Sequence, residues 1–395
     1  MSAPLRILYV AYPLLPLTDA SCGGAEQVLL TLEREMARRG HATMVAAAAG
    51  SRVAGELYPT GAPAGGIDQF AWRDAEHNRR VLQLLAADDG FDLVHDMSGT
   101  FWKCAGETNV PVLATLHLPP HLYAPEMFEN IAPNVSFNCV SESQAQVFAR
   151  LPGLLGVIQN GIDLTRFPCA RAKPTTETRN HEDKTSSNRS HDRTQTTTSV
   201  SSCLRGASSG RGYLLWLGRI CEEKAPHLAL EVVERSGLPL ILVGNVYPFS
   251  YHQQYFRREI VPRLERNSHA RFIDSPAFSE KLMLLRHARA LLVTSLINET
   301  SSLAAMEAMA CGTPVIAFRR GALPEVVADG RTGVLVDSLD EMIAAMHRLG
   351  QIDPRTCREH VERRFSAARM ADDYERLYQR ALQYSPAVRQ GLQAA

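Results

Sequence analysis

Residues 213–231 read YLLWLGRICEEKAPHLALE, and this stretch decides how the rest of the chain is interpreted. YLLWL is an apolar run of strand length, and PHLALE begins an amphipathic helix with Pro226 in its first turn. The loop between them places Gly218, Arg219 and Lys224 just after the strand. Such strand–loop–helix units build parallel sheets, which bind ligands at the carboxyl ends of their strands. Two cations there suit a diphosphate, although an ordinary surface Arg and Lys explain the pair equally well.

The same alternation runs through two halves of the chain. In the first half, the strand candidates RILYVAY, HATMVAAAA, FDLVHD and VPVLATLH are accompanied by helical stretches such as GGAEQVLLTLEREMARRG. In the second half, LPLILVG, ALLVTS, TPVIAF and TGVLV alternate with helices such as SLAAMEAMA. We therefore predict an α/β protein with two parallel sheets covered by helices, and a ligand cleft between the two halves.

A polar segment separates the two halves. Residues 169–211 are dense in Ser, Thr and mixed charge, so they cannot bury enough apolar surface to offset the entropy of ordering. We predict a disordered insert there, an N-terminal domain over 1–168 and a C-terminal domain over 212–355. Residues 356–384 are predicted to form one closing helix, with a tail over 385–395.

Composition limits the functions that the chain can have. It has 395 residues, 45% of them hydrophobic, and a formal net charge of +0, so we expect no nucleic-acid partner. The eight cysteines form no C-x-x-C pair, which favours free thiols in a reducing cytosol over a zinc or dithiol site. No apolar run reaches the ~18–20 residues of a membrane span, and prolines interrupt the apolar N-terminus. We expect a cytoplasmic protein without a membrane span, and peripheral membrane contact stays open.

Two glutamates in 298–318, NETSSLAAMEAMACGTPVIAF, are spaced for a long ligand. Ser301 or Ser302 suits the N-cap of the helix, which leaves Glu299 in the loop before it and Glu307 inside it. Even on one continuous helix, eight residues span ~12 Å and rotate by ~80°, too far for a pair of catalytic carboxylates. The helix N-terminus between them favours an anion. Spacing alone also allows a loop charge and a solvated helix residue.

Three further features are weaker signals. In SCGGAEQVLL, Gly23 and Gly24 permit close backbone approach at a helix N-terminus, but Gly-Gly loops are common turns. His117 ends the strand VLATL, where a histidine is more often structural. Asn160 and Gly161 in QNGID form a turn whose role beyond turning is open.

Taken in order, these motifs resemble those of the retaining glycosyltransferases of family 4. GGAEQVLLTLEREMARRGH, VSESQAQVF and VIQNGID resemble the N-terminal domain of that family, and LGRICEEKAPHLALE resembles the G-R-x-x-x-E-K-G pattern that opens its C-terminal domain. The pair of glutamates resembles the Glu-x7-Glu signature, and RRGALPEVVADGRTGVLV matches the stretch that follows it. The resemblance implies the GT-B fold, in which two Rossmann-like domains face each other and a C-terminal helix crosses back onto the first.

The resemblance also implies roles for individual residues. Arg219 and Lys224 would bind the diphosphate of a nucleotide-sugar donor, Glu299 would hold hydroxyls of the donor sugar, and these three are the expected catalytic residues. The other expected donor-binding residues are Gly24, His117, Ser301, Ser302, Leu303 and Glu307. A sugar would pass to a small-molecule or glycan acceptor with retention. Because the two cations would stabilise the leaving diphosphate, no metal or other cofactor is expected.

The chain departs from the family pattern at several positions. Thr300, Ser301 and Ser302 stand where the family often reads P-F-G, Asp274 replaces a common glycine near the expected nucleobase pocket, and Ala225 replaces the glycine after Lys224. These changes leave two alternatives beside the transferase. One is a sugar-nucleotide-binding protein with weak or no activity, and the other is a different GT-B enzyme such as an epimerase or phosphorylase.

Overall fold

A computed structural model describes most of the chain. The described residues are 3–19, 21, 23–64, 69–168, 212–247 and 249–384. The predicted insert over 169–211 and the predicted tail over 385–395 therefore lie outside the described residues. The predicted domain boundaries on either side of the insert stay predictions.

A seven-stranded parallel sheet forms the first half of the described chain, in the order β3-β2-β1-β4-β5-β6-β7. Its strands are β1 (Arg6–Val10), β2 (Ala42–Ala47), β3 (Glu56–Pro59), β4 (Leu93–Asp96), β5 (Val112–Leu116), β6 (Val135–Cys139) and β7 (Leu154–Val157). Four of the central strands, β4, β1, β5 and β6, are almost continuously buried because helices cover both faces of the sheet.

A six-stranded parallel sheet forms the second half of the described chain, in the order β10-β9-β8-β11-β12-β13. Its strands are β8 (Tyr213–Leu217), β9 (Leu240–Gly244), β10 (Ala270–Asp274), β11 (Ala288–Val293), β12 (Val315–Phe318) and β13 (Gly333–Val336). The register is regular across β8 and β9, where Leu214 lies opposite Leu240. The two sheets confirm the predicted α/β class with parallel sheets.

The helices follow the strands in alternation. They are α1 (Gly24–Arg38), α2 (Phe70–Ala87), α3 (Glu142–Val147), α4 (Pro226–Ser236), α5 (Ser250–Tyr255), α6 (Val261–Arg266), α7 (Phe278–His287), α8 (Leu303–Ala310), α9 (Leu323–Val326), α10 (Leu339–Ala345), α11 (Pro354–Arg364) and α12 (Ala367–Tyr384). A π-helical turn over Phe256–Ile260 joins α5 to α6. Pro226 opens α4, as its fixed backbone angle predicts. In the described residues, no helix combines the length and the apolar character that crossing a membrane requires.

Two strands were absent from the sequence prediction. β3 is a short, partly exposed strand at one edge of the first sheet and ends in a proline. β6 is fully buried but carries Ser136 and Asn138, and such polar residues are depleted in apolar strand patterns. Tertiary contacts satisfy them: the Thr115 hydroxyl donates to Asn138 Oδ1 at 2.8 Å. A buried amide with a partner is compatible with a central strand.

The closing segment differs from the single helix predicted over 356–384. The helix breaks between α11 and α12, and the chain there forms a β-bridge with Ile162. Ile162 N donates to Phe365 O at 2.8 Å, and Ala367 N donates to Ile162 O at 2.9 Å. A Cβ atom on Gly161 would lie 2.6 Å from Ser366 O, so the QNGID turn needs its glycine for this close approach. The break lets α11 pack against α8 while α12 packs against α1.

A buried polar network joins α12 to the first sheet. The Tyr378 hydroxyl lies 2.9 Å from His95 Nδ1 and 3.1 Å from the Tyr9 hydroxyl, and the Tyr374 hydroxyl lies 3.2 Å from Thr115 Oγ1. Burial lowers the pKa of His95 well below its ordinary value, which keeps the ring neutral. Because each hydroxyl has a partner, the network holds α12 on the sheet without an unpaired polar group.

Candidate active site

A cavity lies between the two sheets, at the carboxyl ends of their strands. It has a volume of about 490 Å³, within the usual range for small-molecule sites. The residues that follow β8 and β9, Gly218 and Asn245, contribute to its wall. Among the other lining residues are Gly24, Arg219, Phe278, Lys281, Leu303 and Glu307. Four of the predicted site residues therefore meet at one cavity: Gly24, Arg219, Leu303 and Glu307.

The N-terminus of α1 reaches the cavity from the first half. A Cβ atom on Gly24 would lie 3.8 Å from Leu303 Cδ1, so the first residues of α1 and α8 face each other. The carboxylate of Glu26 folds over Gly23, where any larger side chain would overlap it. Burial raises the pKa of Glu26, so this carboxyl group gives up its charge more readily than an exposed one. Two helix N-termini from different halves thus approach the same space.

Lys224 and Glu299 form an ion pair beside α8. Lys224 Nζ lies 2.5 Å from Glu299 Oε1 and 2.6 Å from Oε2. Glu299 is 7% exposed, so it is a buried, paired carboxylate and not the solvated loop charge that spacing alone allowed. Ala225 follows Lys224 in the left-handed conformation, with φ of 49°, which explains why a glycine suits that position. Neither Lys224 nor Glu299 contributes to the cavity wall.

Glu307 is also buried and paired, with a lysine that no sequence motif indicated. It is 4% exposed, and Lys281 Nζ lies 2.9 Å from its Oε1 and 3.0 Å from its Oε2. Lys281 lies on α7, near the ring of Phe278 at 5.3 Å. Both residues of the pair line the cavity. The site therefore contains two lysine–glutamate pairs, one at each end of the short path from Glu299 to Glu307.

Replacing Lys281 by alanine is expected to lower the free energy of unfolding by about 1–3 kcal/mol, because it leaves the Glu307 carboxylate buried without its partner. Adding Glu307→Gln should recover part of that loss, since the amide carries no charge. Urea unfolding of both single variants and the double variant measures the coupling. Lys103→Ala removes an exposed lysine and serves as the control. An equal loss in Lys281→Ala and Lys103→Ala would contradict the pairing.

His117 stands where the two halves touch. The Thr300 hydroxyl donates to the backbone carbonyl of His117 at 2.8 Å, so one of the residues that depart from the family pattern forms a contact between the halves. Burial lowers the pKa of His117 to about 4, and its Nε2 has no hydrogen-bond partner among the described residues. The ring is neutral at ordinary pH, and its Nε2 is a buried atom; His117 does not contribute to the cavity wall, so its predicted role stays a prediction.

Ser301 and Ser302 precede α8, and of these two N-cap candidates Ser302 is the one that caps the helix. Its hydroxyl accepts a hydrogen bond from Ala305 N at 3.4 Å. Ser301 lines a small separate pocket of the interface between the halves. Neither serine contributes to the wall of the large cavity, whereas Leu303, the first residue of α8, does. The roles predicted for the two serines therefore stay predictions.

The loop of Glu299 depends on a glycine whose role sequence reasoning missed. Gly321 has φ of 52°, and a Cβ atom there would lie 2.6 Å from Glu299 N. Next to it, Ala322 N donates to Glu299 O at 2.7 Å. The stretch RRGALPEV therefore supports the Glu299 loop through backbone contact. The match of this stretch to the family pattern indicated that it belongs to the site, but the pattern does not say which residue the glycine contacts.

Two parallel α/β sheets facing each other across a cavity, with helix N-termini and paired charges at its edge, define the GT-B class of proteins. Comparison with known proteins agrees. Residues 22–166 match the family model described as Glycosyltransferase Family 4, and residues 211–351 match that described as Glycosyl transferases group 1. The chain belongs to glycosyltransferase family 4, as the order of its motifs predicted.

Similar proteins include two named D-inositol 3-phosphate glycosyltransferases. The chain is 33% identical over 182 residues to the one from Corynebacterium efficiens, which covers 42% of each protein. It is 27% identical over 340 residues to D-inositol 3-phosphate glycosyltransferase 2 from Catenulispora acidiphila, covering 74% of this chain and 73% of that protein. The match thus spans less than half of the first relative's length.

Solved structures share the fold at low sequence identity. Anabaena Alr3699/HepE in complex with UDP-glucose matches with a TM-score of 0.69 and 15% identity, over 95% of this chain and 99% of that chain. Sucrose-phosphate synthase from Thermosynechococcus elongatus matches with a TM-score of 0.73 and 18% identity, over 95% of this chain and 98% of that chain. These likenesses confirm the predicted GT-B arrangement.

Proposed function

We propose that the protein is a retaining glycosyltransferase that moves a hexose from a nucleotide-diphosphate sugar to an acceptor. The observation that carries the proposal is the placing of Glu299 and Glu307, each buried and each held by a lysine, on either side of the N-terminus of α8. If a donor lay along this path, its own groups would replace the lysines as partners of the two glutamates. Glu299 would accept hydrogen bonds from hydroxyls of the sugar, and Glu307 would accept them from hydroxyls of the ribose. The diphosphate would lie between the two glutamates.

The cations have a defined task in this proposal. Arg219 on the cavity wall and Lys224 beside Glu299 would bind the diphosphate and stabilise the negative charge that develops as it leaves. Gly24 at the N-terminus of α1 would approach the phosphates from the other half. Since these groups supply the positive charge, we propose that the transfer needs no metal ion.

The proposed transfer keeps the anomeric configuration without an enzyme nucleophile. The acceptor oxygen would attack the anomeric carbon from the face that the phosphate leaves, the bond from carbon to phosphate oxygen would break, and a departing phosphate oxygen would take the acceptor proton. The neutral ring of His117 would hydrogen-bond the transferred sugar without adding charge. The protein then mainly positions the two substrates and stabilises the leaving group.

The names of similar proteins suggest which substrates to try first. HepE has been crystallised with UDP-glucose, so UDP-sugars are the first donors to test. The similar curated proteins are named for D-inositol 3-phosphate, which makes it the first acceptor candidate. The acceptor itself, a small molecule or a glycan, is left open in the proposal.

A thermal-shift screen with UDP, GDP, ADP, TDP and their sugars tests the donor site. The matching nucleotide diphosphate at ~100 times its dissociation constant should add about 2.7 kcal/mol of stability. The corresponding monophosphate is the matched control, because it lacks the second phosphate that Arg219 and Lys224 would bind. No stabilisation by any of these nucleotides would contradict the donor site.

The reaction products separate the transferase from its alternatives. With the stabilising donor and an acceptor, NMR of the product should show the same anomeric configuration as the donor, and an inverted product would contradict retention. Binding without transfer or donor hydrolysis would identify a non-catalytic nucleotide-sugar binder. An epimerised donor, or sugar phosphate formed with free phosphate, would identify a different GT-B enzyme.

A further inference from the structure

Three side chains with metal-binding atoms meet where the loop that contains Arg219 approaches α5. The ligand atoms of Cys221, Glu223 and His252 all lie within 4.8 Å of one another. Among the described residues this is the one group of three or more His, Cys, Asp or Glu side chains with such spacing. None of the three contributes to the wall of the cavity, but Arg219, which does, interacts with the side chains of Cys221 and Glu223.

The fold brings these residues together from two elements. Cys221 and Glu223 alternate in the loop after β8, and His252 lies in the first turn of α5, after β9 has run alongside β8. Cys221 is 0% exposed and His252 is 2% exposed, whereas Glu223 is half-buried. The cysteine and the histidine are therefore shielded from solvent, and only the glutamate is partly exposed to it.

One buried nitrogen in the cluster is without a partner. Nδ1 of His252 has no hydrogen bond to any described residue, although the ring lies in a shell of aromatic side chains. The ring centroids of Tyr251, Phe249 and Tyr247 lie 4.3, 5.2 and 6.0 Å from that of His252. A buried polar atom left unpaired destabilises the fold unless a ligand satisfies it.

The donor set selects a particular kind of ion. A thiolate, an imidazole and a carboxylate together suit Zn²⁺, which takes sulfur, nitrogen and oxygen ligands in tetrahedral geometry. Ligands at ~2.0–2.3 Å from a tetrahedral ion lie roughly 3.4 Å apart, so atoms now within 4.8 Å of one another would need to close by at most about 1.4 Å. Three protein ligands leave one position for water.

We propose that Cys221, Glu223 and His252 form a zinc site that fastens the Arg219–Lys224 loop to α5. Binding would replace the hydrogen of the Cys221 thiol, which now lies 3.6 Å from Arg219 O, with the metal and release one proton to solvent. The ion would link two residues of the loop to α5, while Arg219 of the same loop lines the cavity. The proposal concerns the position of this loop, and it does not depend on the proposed transfer reaction.

Cobalt titration tests this site in the full-length protein. After chelator treatment and reduction by a phosphine, Co²⁺ should bind at one equivalent per chain and produce the near-ultraviolet thiolate-to-cobalt absorption. Added Zn²⁺ should abolish the absorption by displacing Co²⁺. Cys221→Ala should lose the absorption, and His252→Gln should weaken Co²⁺ binding by about 100-fold, as expected when a ligand is removed.

Matched variants keep the result decisive. Cys104→Ala removes a partly buried free thiol elsewhere and should keep the absorption and the affinity. Circular dichroism in the presence of chelator identifies variants that fail to fold. If one fails, Glu223→Gln, which changes the half-buried ligand, takes its place. The same loss of Co²⁺ affinity is expected. An unchanged Co²⁺ titration in folded Cys221→Ala or Glu223→Gln, or no thiolate absorption in the unmodified protein, would overturn the proposal.

Discussion

Replacing Lys224 or Glu299 by alanine is expected to lower turnover by about 10²-fold or more, the scale for losing one preorganised contact to a transition state. Lys224 would lose its charge on the leaving diphosphate, and Glu299 would lose its grip on the donor sugar. Because the two side chains bind each other at 2.5 Å, the double variant should lose less than the product of the single losses.

Steady-state kinetics of the three variants with the donor found by thermal shift measure this effect. Arg263→Ala is a suitable control because Arg263 also pairs with a glutamate, Glu259 at 2.7 Å, but lies on α6, away from the loop after β8 that carries Lys224. Thermal unfolding confirms that each variant is folded before rates are compared. Near-normal turnover in both Lys224→Ala and Glu299→Ala would remove these residues from the proposed mechanism.

Replacing Gly321 by alanine is expected to reduce turnover by a similar factor, about 10²-fold, although Gly321 would not touch the donor. Its Cβ atom would lie 2.6 Å from the backbone of Asn298 and Glu299, so the Glu299 loop would have to move. A shift of the reacting groups by about 1 Å can lower rates by that factor. The left-handed backbone adds roughly 1–2 kcal/mol of strain.

Gly237→Ala separates the steric contact from the backbone strain. Gly237 has φ of 68°, close to the 52° of Gly321, but a Cβ atom there would meet nothing within 4 Å. Both variants should therefore be less stable in thermal unfolding. Only Gly321→Ala should also have a lower turnover. Equal kinetic losses in the two variants would mean that strain, and not displacement of Glu299, is responsible.

Much of the fold was predictable because its signals are local. Apolar runs such as YLLWL and LILVG became β8 and β9, and Pro226 and Ser302 opened their helices as capping preferences predict. β6 was not predicted because its polar residues find their hydrogen-bond partners on the neighbouring strand β5, which the sequence pattern does not display. The break before α12 was not predicted for the same reason, since the β-bridge with Ile162 is a contact between distant parts of the chain.

The candidate site was likewise predictable only in part from the sequence. The motifs predict roles for Arg219, Lys224, Glu299 and Glu307, and the structure adds the lysine partners of the two glutamates. Lys281 carries no motif, because a lysine on an amphipathic helix is ordinary until the facing residue is known. The family pattern includes Gly321, but its reason, close contact with the Glu299 backbone, exists only in three dimensions.

By itself, the sequence determined the alternation of strands and helices, the two-sheet class and the family, because periodicity, capping and motif order are properties of neighbouring residues. Only the tertiary structure decided the partners of buried charges and the meeting of Cys221, Glu223 and His252. The cysteine spacing had argued against a zinc site, yet β9 and α5 bring a histidine to the cysteine and glutamate of another loop. Such contacts depend on chain packing, which local sequence does not record.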